Sequence, residues 1–285
     1  MLKSPLYLLL ISACMVALIS ATVLFWFLWD SSWPYWQAFG ISQLWAPEWY
    51  PYESLYGLLP AIIGTAWAIF IAMIIAVPCG LAAAIVSSEI LPRFWQGWLR
   101  LMVELLAGIP SVVYGLIALW LLLPWLQNSF DLLTGHSLLA AGMILSLMIL
   151  PTIMLMSYDA LRLIPIEQRE AGMSLGMDWN QCLLRILLPQ AWPSIRSGIL
   201  LALGRALGET MAVMLVVGSM DRLPQPIYNI LEPAQTLTSR IGREMGEAAF
   251  GSMHFSALIA CGLVLAVMAI CLSLLAQHHK PAVTQ

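Results

Sequence analysis

Charge is what this sequence has least of. Asp, Glu, Lys and Arg make up only 9% of its 285 residues while 61% are hydrophobic, whereas soluble domains are about 25% charged and about 45–50% apolar. A soluble globular enzyme is thereby excluded. The 12 Lys and Arg against 15 Asp and Glu leave a net charge of −3 and no long basic run, so the electrostatic footprint of a protein that tracks a nucleic-acid backbone is missing. Intrinsic disorder, which requires low hydrophobicity, fails as well. The five cysteines, Cys14, Cys79, Cys182, Cys261 and Cys271, have neither CxxC nor metal-ligand spacing and read as reduced structural thiols. The four imidazoles are His136, His254, His278 and His279. Without HExxH, a Ser/His/Asp constellation or closely spaced cytoplasmic carboxylates, a membrane enzyme finds no catalytic set here.

What is abundant is long apolar runs. A hydrocarbon core about 30 Å thick needs roughly 20 apolar residues per helix, and six segments meet that length: 6–29, 58–86, 101–126, 137–157, 194–218 and 254–277. The expected fold is an all-α polytopic membrane protein with six transmembrane helices. Its first unit, 1–57, is a helix and an outer loop, and residues 278–285 form a tail. Lys3 before an apolar run resembles a secretion signal, and Ile11–Cys14 loosely resembles a lipoprotein cleavage site, but the uncharged run continues to Trp29, past the usual 7–15-residue core of a signal peptide. An uncleaved helix is the better reading.

Positive residues stay on the cytoplasmic side. Loops 30–57 and 127–136 have none, loop 87–100 has Arg93 and Arg100, and connection 158–193 has Arg162, Arg169 and Arg185, with Arg196 just beyond. Both termini are thus expected in the cytoplasm. Loop 219–253 brings Arg222, Arg240 and Arg243 outside, balanced by Asp221, Glu232, Glu244 and Glu247. Trp33, Tyr35, Trp36, Trp45, Trp49, Tyr50 and Tyr52 in the outer loop suit a headgroup-facing rim.

Connection 158–193 specifies an elbow. Pro165 suits a first helical position, and Glu167 and Glu170 oppose the positive end of the helix dipole. Gly176 can end that helix in the left-handed region. Asp178 with Gln181 then starts a second helix, which Pro189 is expected to end. Its charges are too costly for hydrocarbon, yet Met173, Leu175, Met177, Trp179, Leu183 and Leu184 make it more apolar than a solvated linker. Two readings stand: a helix on the membrane surface, or a rigid projection that fits a groove on a partner.

In the fifth span Gly198, Leu201, Arg205, Gly208, Glu209 and Ala212 follow a helical face, with Gly204 and Gly208 as a GxxxG pair. A charge at the bilayer centre costs at least about 2.5–3.5 kcal/mol, so Arg205 must face protein, water or an anion. Glu209, one turn on, can pair with it. Either the two neutralise each other, or Arg205 lines a pathway and meets an anion, for which its planar fork is suited. The third span adds a polar stripe, Glu104, Gly108, Ser111 and Gly115, beside a kink expected at Pro110. The structural reading of that stripe is helix packing, and the functional one is a cavity.

Glu170, Ala171, Gly172, Gly176, Ile186, Leu188 and Pro189 together resemble the EAA loop of ABC importer permeases, with Gly172 where the pattern has a second Ala. The resemblance implies a type I permease core over 58–277 whose coupling helix docks on an ATPase through Glu170, Ala171, Gly172 and Gly176. AGIPSVVYGL (107–116), GRALGETMAV (204–213), EMGEA and GSMHFSAL (244–258) further resemble the PstC-type permeases of phosphate importers. That resemblance implies a second, PstA-type permease, two PstB-type ATPases that bind the ATP, an external PstS-type phosphate-binding protein, and no cofactor or covalent chemistry on this chain. Arg205, Glu209, Glu104 and Ser111 are the expected substrate-pathway residues. Permeases for sulfate, molybdate or tungstate, and a non-transporting regulatory subunit, are the alternatives.

Overall fold

The computed structural model describes residues 5–278, so that of the expected tail only the backbone of His278 is described. Six helices are long and apolar enough to cross a membrane: Leu9–Phe39, Leu59–Ile90, Ser111–Phe130, Leu138–Arg162, Trp179–Gly208 and Met253–Leu274. The first, α1 (Pro5–Phe39), runs on through the expected start of the outer loop. A two-strand hairpin, β1 (Trp49–Tyr50) and β2 (Leu55–Tyr56), follows it.

The second crossing is α2 (Leu59–Ile85) and ends in a π turn, Val86–Ile90. An amphipathic helix, α3 (Arg93–Gly108), returns at the elbow end. The third crossing is α4 (Ser111–Ile117), a π turn at Ala118–Leu122 and α5 (Leu123–Phe130). Next come α6 (Leu138–Arg162) and the elbow helix α7 (Ile166–Ser174). The fifth crossing is assembled from α8 (Trp179–Cys182), a π turn at Leu183–Leu187 and α9 (Leu188–Gly208). Three more helices complete the chain: α10 (Met211–Val216), α11 (Leu237–Glu244) and α12 (Met253–His278).

The π turns explain a departure from expectation. Pro189 does not end the second elbow helix, because the wider turn at Leu183–Leu187 precedes it and α9 continues to Gly208. A similar turn at Ala118–Leu122 precedes Pro124. An i→i+5 turn moves the preceding carbonyl away from the proline ring, which would otherwise clash with it.

Helix α6 is the centre. It packs between α2 and α9, and Leu145, Met148, Ile149 and Ile153 on it are almost wholly buried. By contrast α1 packs mainly on α12 and leaves Val16, Leu18, Leu24 and Trp26 exposed, as a peripheral lipid-facing helix would. Gly64 of α2 lets the backbone at Gln235 approach so closely that a Cβ there would overlap the Gln235 carbonyl oxygen. Beside it, Thr65 Oγ1 accepts the Leu237 N–H at 2.9 Å, which fixes α11 against α2.

The end away from the elbow is held by charge. Arg240 of α11 is fully buried, 4.2 Å over the Trp49 ring and paired with Asp221 at 3.1 Å. Arg243 pairs with Asp221 at 2.8 Å and with Glu244 at 2.9 Å. Trp49 Nε1 donates to Glu244 at 3.0 Å, and His254 Nε2 lies 2.9 Å from the same carboxylate. Burial alone would raise the Glu244 carboxyl, but hydrogen bonds from Arg243, His254 and Trp49 and the charge of Arg240 hold it below the ordinary carboxylate value. This cluster also corrects the expected aromatic rim. Trp33, Trp45, Tyr50 and Tyr52 are exposed, whereas Tyr35 and Trp49 are buried because their polar atoms find partners inside; the Tyr35 hydroxyl donates to the Tyr56 carbonyl at 2.8 Å.

Two outcomes follow for stability. Gly64→Ala should lower the unfolding free energy of the detergent-solubilised chain by about 1–3 kcal/mol through overpacking, read from its thermal transition. Glu244→Gln should cost about 1–2 kcal/mol near neutral pH by removing the charged acceptor shared by Arg243, His254 and the buried Trp49, while Arg243 keeps Asp221. Because the folded Glu244 value lies below the unfolded one, its contribution is complete above the unfolded value and is lost as pH falls through the folded one. The gap between the parent and Glu244→Gln should therefore narrow in acid, and a gap independent of pH would contradict the assignment.

Candidate functional site

Two helical stretches are interrupted, between α3 and α4 and between α9 and α10, and the interruptions lie side by side. Between α3 and α4 the chain is extended at Ile109 and Pro110. Pro110 has no N–H to offer the Leu106 carbonyl, which instead accepts the Tyr114 hydroxyl at 2.7 Å and the Ile109 N–H at 3.3 Å. Between α9 and α10 the chain is extended at Glu209 (φ −74°, ψ 122°). There the Thr238 hydroxyl of α11 donates to the Glu209 carbonyl at 2.9 Å, and the Glu209 carboxylate accepts the Ala212 N–H at 3.3 Å. Gly115 of α4 packs on Ala212 and Leu215 of α10, and Tyr114, Ala206 and Ala212 share one buried apolar cluster.

The continuous third and fifth spans expected over 101–126 and 194–218 are thus each broken. The same breaks separate residues that spacing had placed together. Arg205, in the last turn of α9, is half-buried and forms no ion pair among the described residues. The expected one-turn pair with Glu209 does not form, because the helix stops at Gly208 and the carboxylate turns to the start of α10. Ala206, the neighbour of Arg205, shares a buried cluster with Tyr114. Ser111, half-buried, opens α4 beside these residues.

Glu104 lies elsewhere. It is exposed and takes Arg100 at 2.7 Å, while Arg100 also reaches Asp159 at 3.3 Å, so Glu104 and Ser111 fall on either side of the break rather than on one helical stripe. A Cβ at Gly108, Gly204 or Gly208 would meet nothing within 4 Å, and Leu105, Leu201 and Met211 are exposed. The expected GxxxG contact is therefore not made within this chain. Arg205 sits between a buried tyrosine and an open, mostly apolar face.

The elbow has the expected local chemistry. Gly176 takes φ +81°, its N–H donates to the Met173 carbonyl at 2.9 Å, and the Met177 N–H donates to Gly172 at 3.2 Å, which closes α7 with a left-handed turn. The Asp178 N–H donates to the Gln181 side chain at 3.3 Å and opens α8. Buried Gly172 faces Ile186 and Cys182, so the absent methyl group lets α7 lie close against the start of the fifth crossing. Glu170, Ala171 and Gly176 are exposed, and so are Met173, Leu175 and Leu184. An apolar, acidic projection is left uncovered.

The buried Arg240, Trp49 and Glu244 cluster was not foreseen as a unit. Its one sequence signal is the EMGEA and GSMHFSAL stretch, whereas the Trp49–Glu244 contact spans 195 residues and has no local signature.

Comparison with known proteins bears on the whole arrangement. The family described as binding-protein-dependent transport system inner membrane component matches residues 76–285. A probable ABC transporter permease protein, YqgH, of Bacillus subtilis (strain 168) is 39% identical over 240 residues, 84% of this chain and 77% of that protein. The phosphate transport system permease protein PstC of Mesorhizobium japonicum is 35% identical over 270 residues, 88% of this chain and 81% of its own. Among solved structures, a bacterial alginate ABC transporter in complex with its pentasaccharide-bound periplasmic protein aligns with a TM-score of 0.65 at 17% identity, covering 98% of this chain and 95% of that one. That likeness concerns the fold, which is that of an ABC importer permease. With six apolar crossings, the elbow and these relatives, the chain belongs to the binding-protein-dependent transport system inner membrane components.

Proposed function

We propose that this chain is a membrane-spanning permease subunit of an ATP-driven importer that moves inorganic phosphate into the cytoplasm. The observation that carries the reading is Arg205: a half-buried guanidinium with no carboxylate partner among the described residues, beside two helix interruptions and an open face. A cation in that position is stabilised when an anion visits it, and its fork matches phosphate oxygens. The likeness to permeases named for phosphate transport supports the choice of anion. Glu209 and Ser111 border the same place; Glu104 takes part at the elbow end, through Arg100.

The open face implies a companion, a PstA-type permease, that completes the conduit. Glu170, Ala171 and Gly176 form the docking surface for one of two PstB-type ATPases, which bind and hydrolyse the ATP, with buried Gly172 seating α7 behind them, and a PstS-type binding protein delivers phosphate from outside. This chain does no covalent chemistry. The elbow end and both termini lie in the cytoplasm, since Arg93, Arg100, Arg162, Arg169 and Arg185 gather there. Affinity along the path stays modest because the ion must leave as well as bind.

ATP-dependent uptake of labelled phosphate into proteoliposomes with all four kinds of subunit tests this reading, with omission of this chain as the control. Sulfate and molybdate should fail to compete; effective competition would shift the assignment to another oxyanion. Arg205→Gln should reduce uptake about a hundredfold, equivalent to about 3 kcal/mol, with assembly intact. Arg205→Lys should recover part of it by charge alone. Normal uptake by Arg205→Gln would remove Arg205 from the pathway.

Gly176→Val should uncouple the elbow. Since a Cβ at Gly176 meets nothing within 4 Å, its effect is purely that of forcing a β-branched residue into the left-handed region, about 1–2 kcal/mol. ATPase stimulation by the loaded binding protein should fall severalfold, and Gly176→Asn, which tolerates that conformation, should retain most of it. Equal stimulation by all three proteins would argue against docking through this turn.

A further inference from the structure

The elbow end holds a second concentration of guanidinium groups, apart from Arg205. Ser88, Arg93, Gln96, Arg162, Pro165 and Arg169 line one cavity of about 390 Å³ between the end of the second crossing, the start of α3 and the α6–α7 connection. Three arginines meet there, and each is differently placed. Arg169 is occupied: it pairs with the nearly buried Glu89 and donates to the Leu161 carbonyl at 2.8 Å. Arg162 leans on Tyr158, donating to its hydroxyl at 2.8 Å with the guanidinium 5.6 Å from the ring centroid. Arg93 is exposed and has no hydrogen-bond or ion-pair partner among the described residues. Glu89 neutralises only Arg169, so two positive charges face the cavity uncompensated.

The surroundings match an interfacial position. Phe94, Trp95 and Trp98, on the first turns of α3, are exposed, and aromatic residues of this kind favour the headgroup level of a membrane. Basic pockets between transmembrane helices on the cytoplasmic side bind phosphate-bearing headgroups.

We propose that this cavity binds a phosphate group through Arg93 and Arg162, supplied by an anionic phospholipid headgroup or by free inorganic phosphate at the elbow face. Gln96 adds a polar lining group, its own amide already donating to the Leu91 carbonyl at 2.8 Å. Occupancy joins the start of α3 to the root of the elbow and so holds α7 in its present place. The inference is independent of the cargo: it requires neither Arg205 nor transport.

Calorimetric titration of the full chain in a zwitterionic detergent tests it, with inorganic phosphate, dihexanoylphosphatidylglycerol and dihexanoylphosphatidylcholine as separate probes and Arg205→Gln as the background. Saturable binding of one or both anionic probes is expected, at least tenfold tighter than that of phosphatidylcholine. It should weaken at least tenfold in the Arg93→Gln, Arg162→Gln double variant and persist in Arg93→Lys. Binding of phosphate alone identifies the free ion as the source, and binding of phosphatidylglycerol alone identifies the lipid. Absence of binding by both, equal binding of phosphatidylcholine, or undiminished binding in the double variant overturns the proposal. Both arginines are exposed, so the fold should survive; if the double variant does not fold, Arg93→Gln alone gives the same readout. A deficit in uptake by Arg205→Gln together with normal titration here separates the two sites.

Discussion

A helix that stops inside a membrane leaves backbone groups that only protein can satisfy, and this constraint organises the molecule. Both interruptions meet it with hydroxyl groups: Tyr114 for the Leu106 carbonyl and Thr238 for the Glu209 carbonyl. The second also uses the Glu209 carboxylate, for the Ala212 N–H. The cost of that arrangement falls on Arg205, whose nearest carboxylate in sequence is now engaged with backbone. Breaking the helix and leaving Arg205 without a counterion among the described residues are therefore one event, not two. In the proposed function, the anion in transit supplies what Glu209 no longer does.

The elbow and Arg205 belong to one rod. From Trp179 to Gly208 the chain is helical without a gap for 30 residues, about 45 Å at 1.5 Å per residue. The π turn at Leu183–Leu187 carries the helix past Pro189. A simple break at that proline would have inserted a joint between the docking turn and the membrane. Without the joint, one continuous helix packed on α6 runs from just beyond the turn at Gly176 to Arg205 and Gly208. In the proposed function, this helix links the ATPases docked on the elbow to the substrate path.

Much of this was legible in the residues, and the rest was not for a physical reason. Run length and apolarity are local properties, so six crossings could be read directly. The elbow was legible too, because Gly176 and the Asp178–Gln181 pair act within a single turn of their own position. Both breaks were harder. Pro110 signalled a kink, but membrane helices tolerate proline and glycine when something else satisfies the freed groups, and Thr238 lies 29 residues beyond the carbonyl that it satisfies. Helical spacing across Gly208 therefore joined Arg205 to Glu209 along a face that does not exist. For the same reason Trp49 was read as a rim residue: its partner Glu244 is distant in sequence, and an isolated outer-loop tryptophan looks like any other.

The outer loop resolves its own contradiction. In the proposed orientation Arg222, Arg240 and Arg243 lie outside, against a simple count of positive charge, yet two of the three, Arg240 and Arg243, are paired, with Asp221 and Glu244 folded around them. A cation neutralised by carboxylates of its own domain attracts anionic headgroups little. At the elbow end Arg93 remains without a partner among the described residues, and Arg162 has only a tyrosine. The free positive charge of Arg93 and Arg162 thus lies at the elbow end, in keeping with the proposed orientation of the elbow toward the cytoplasm.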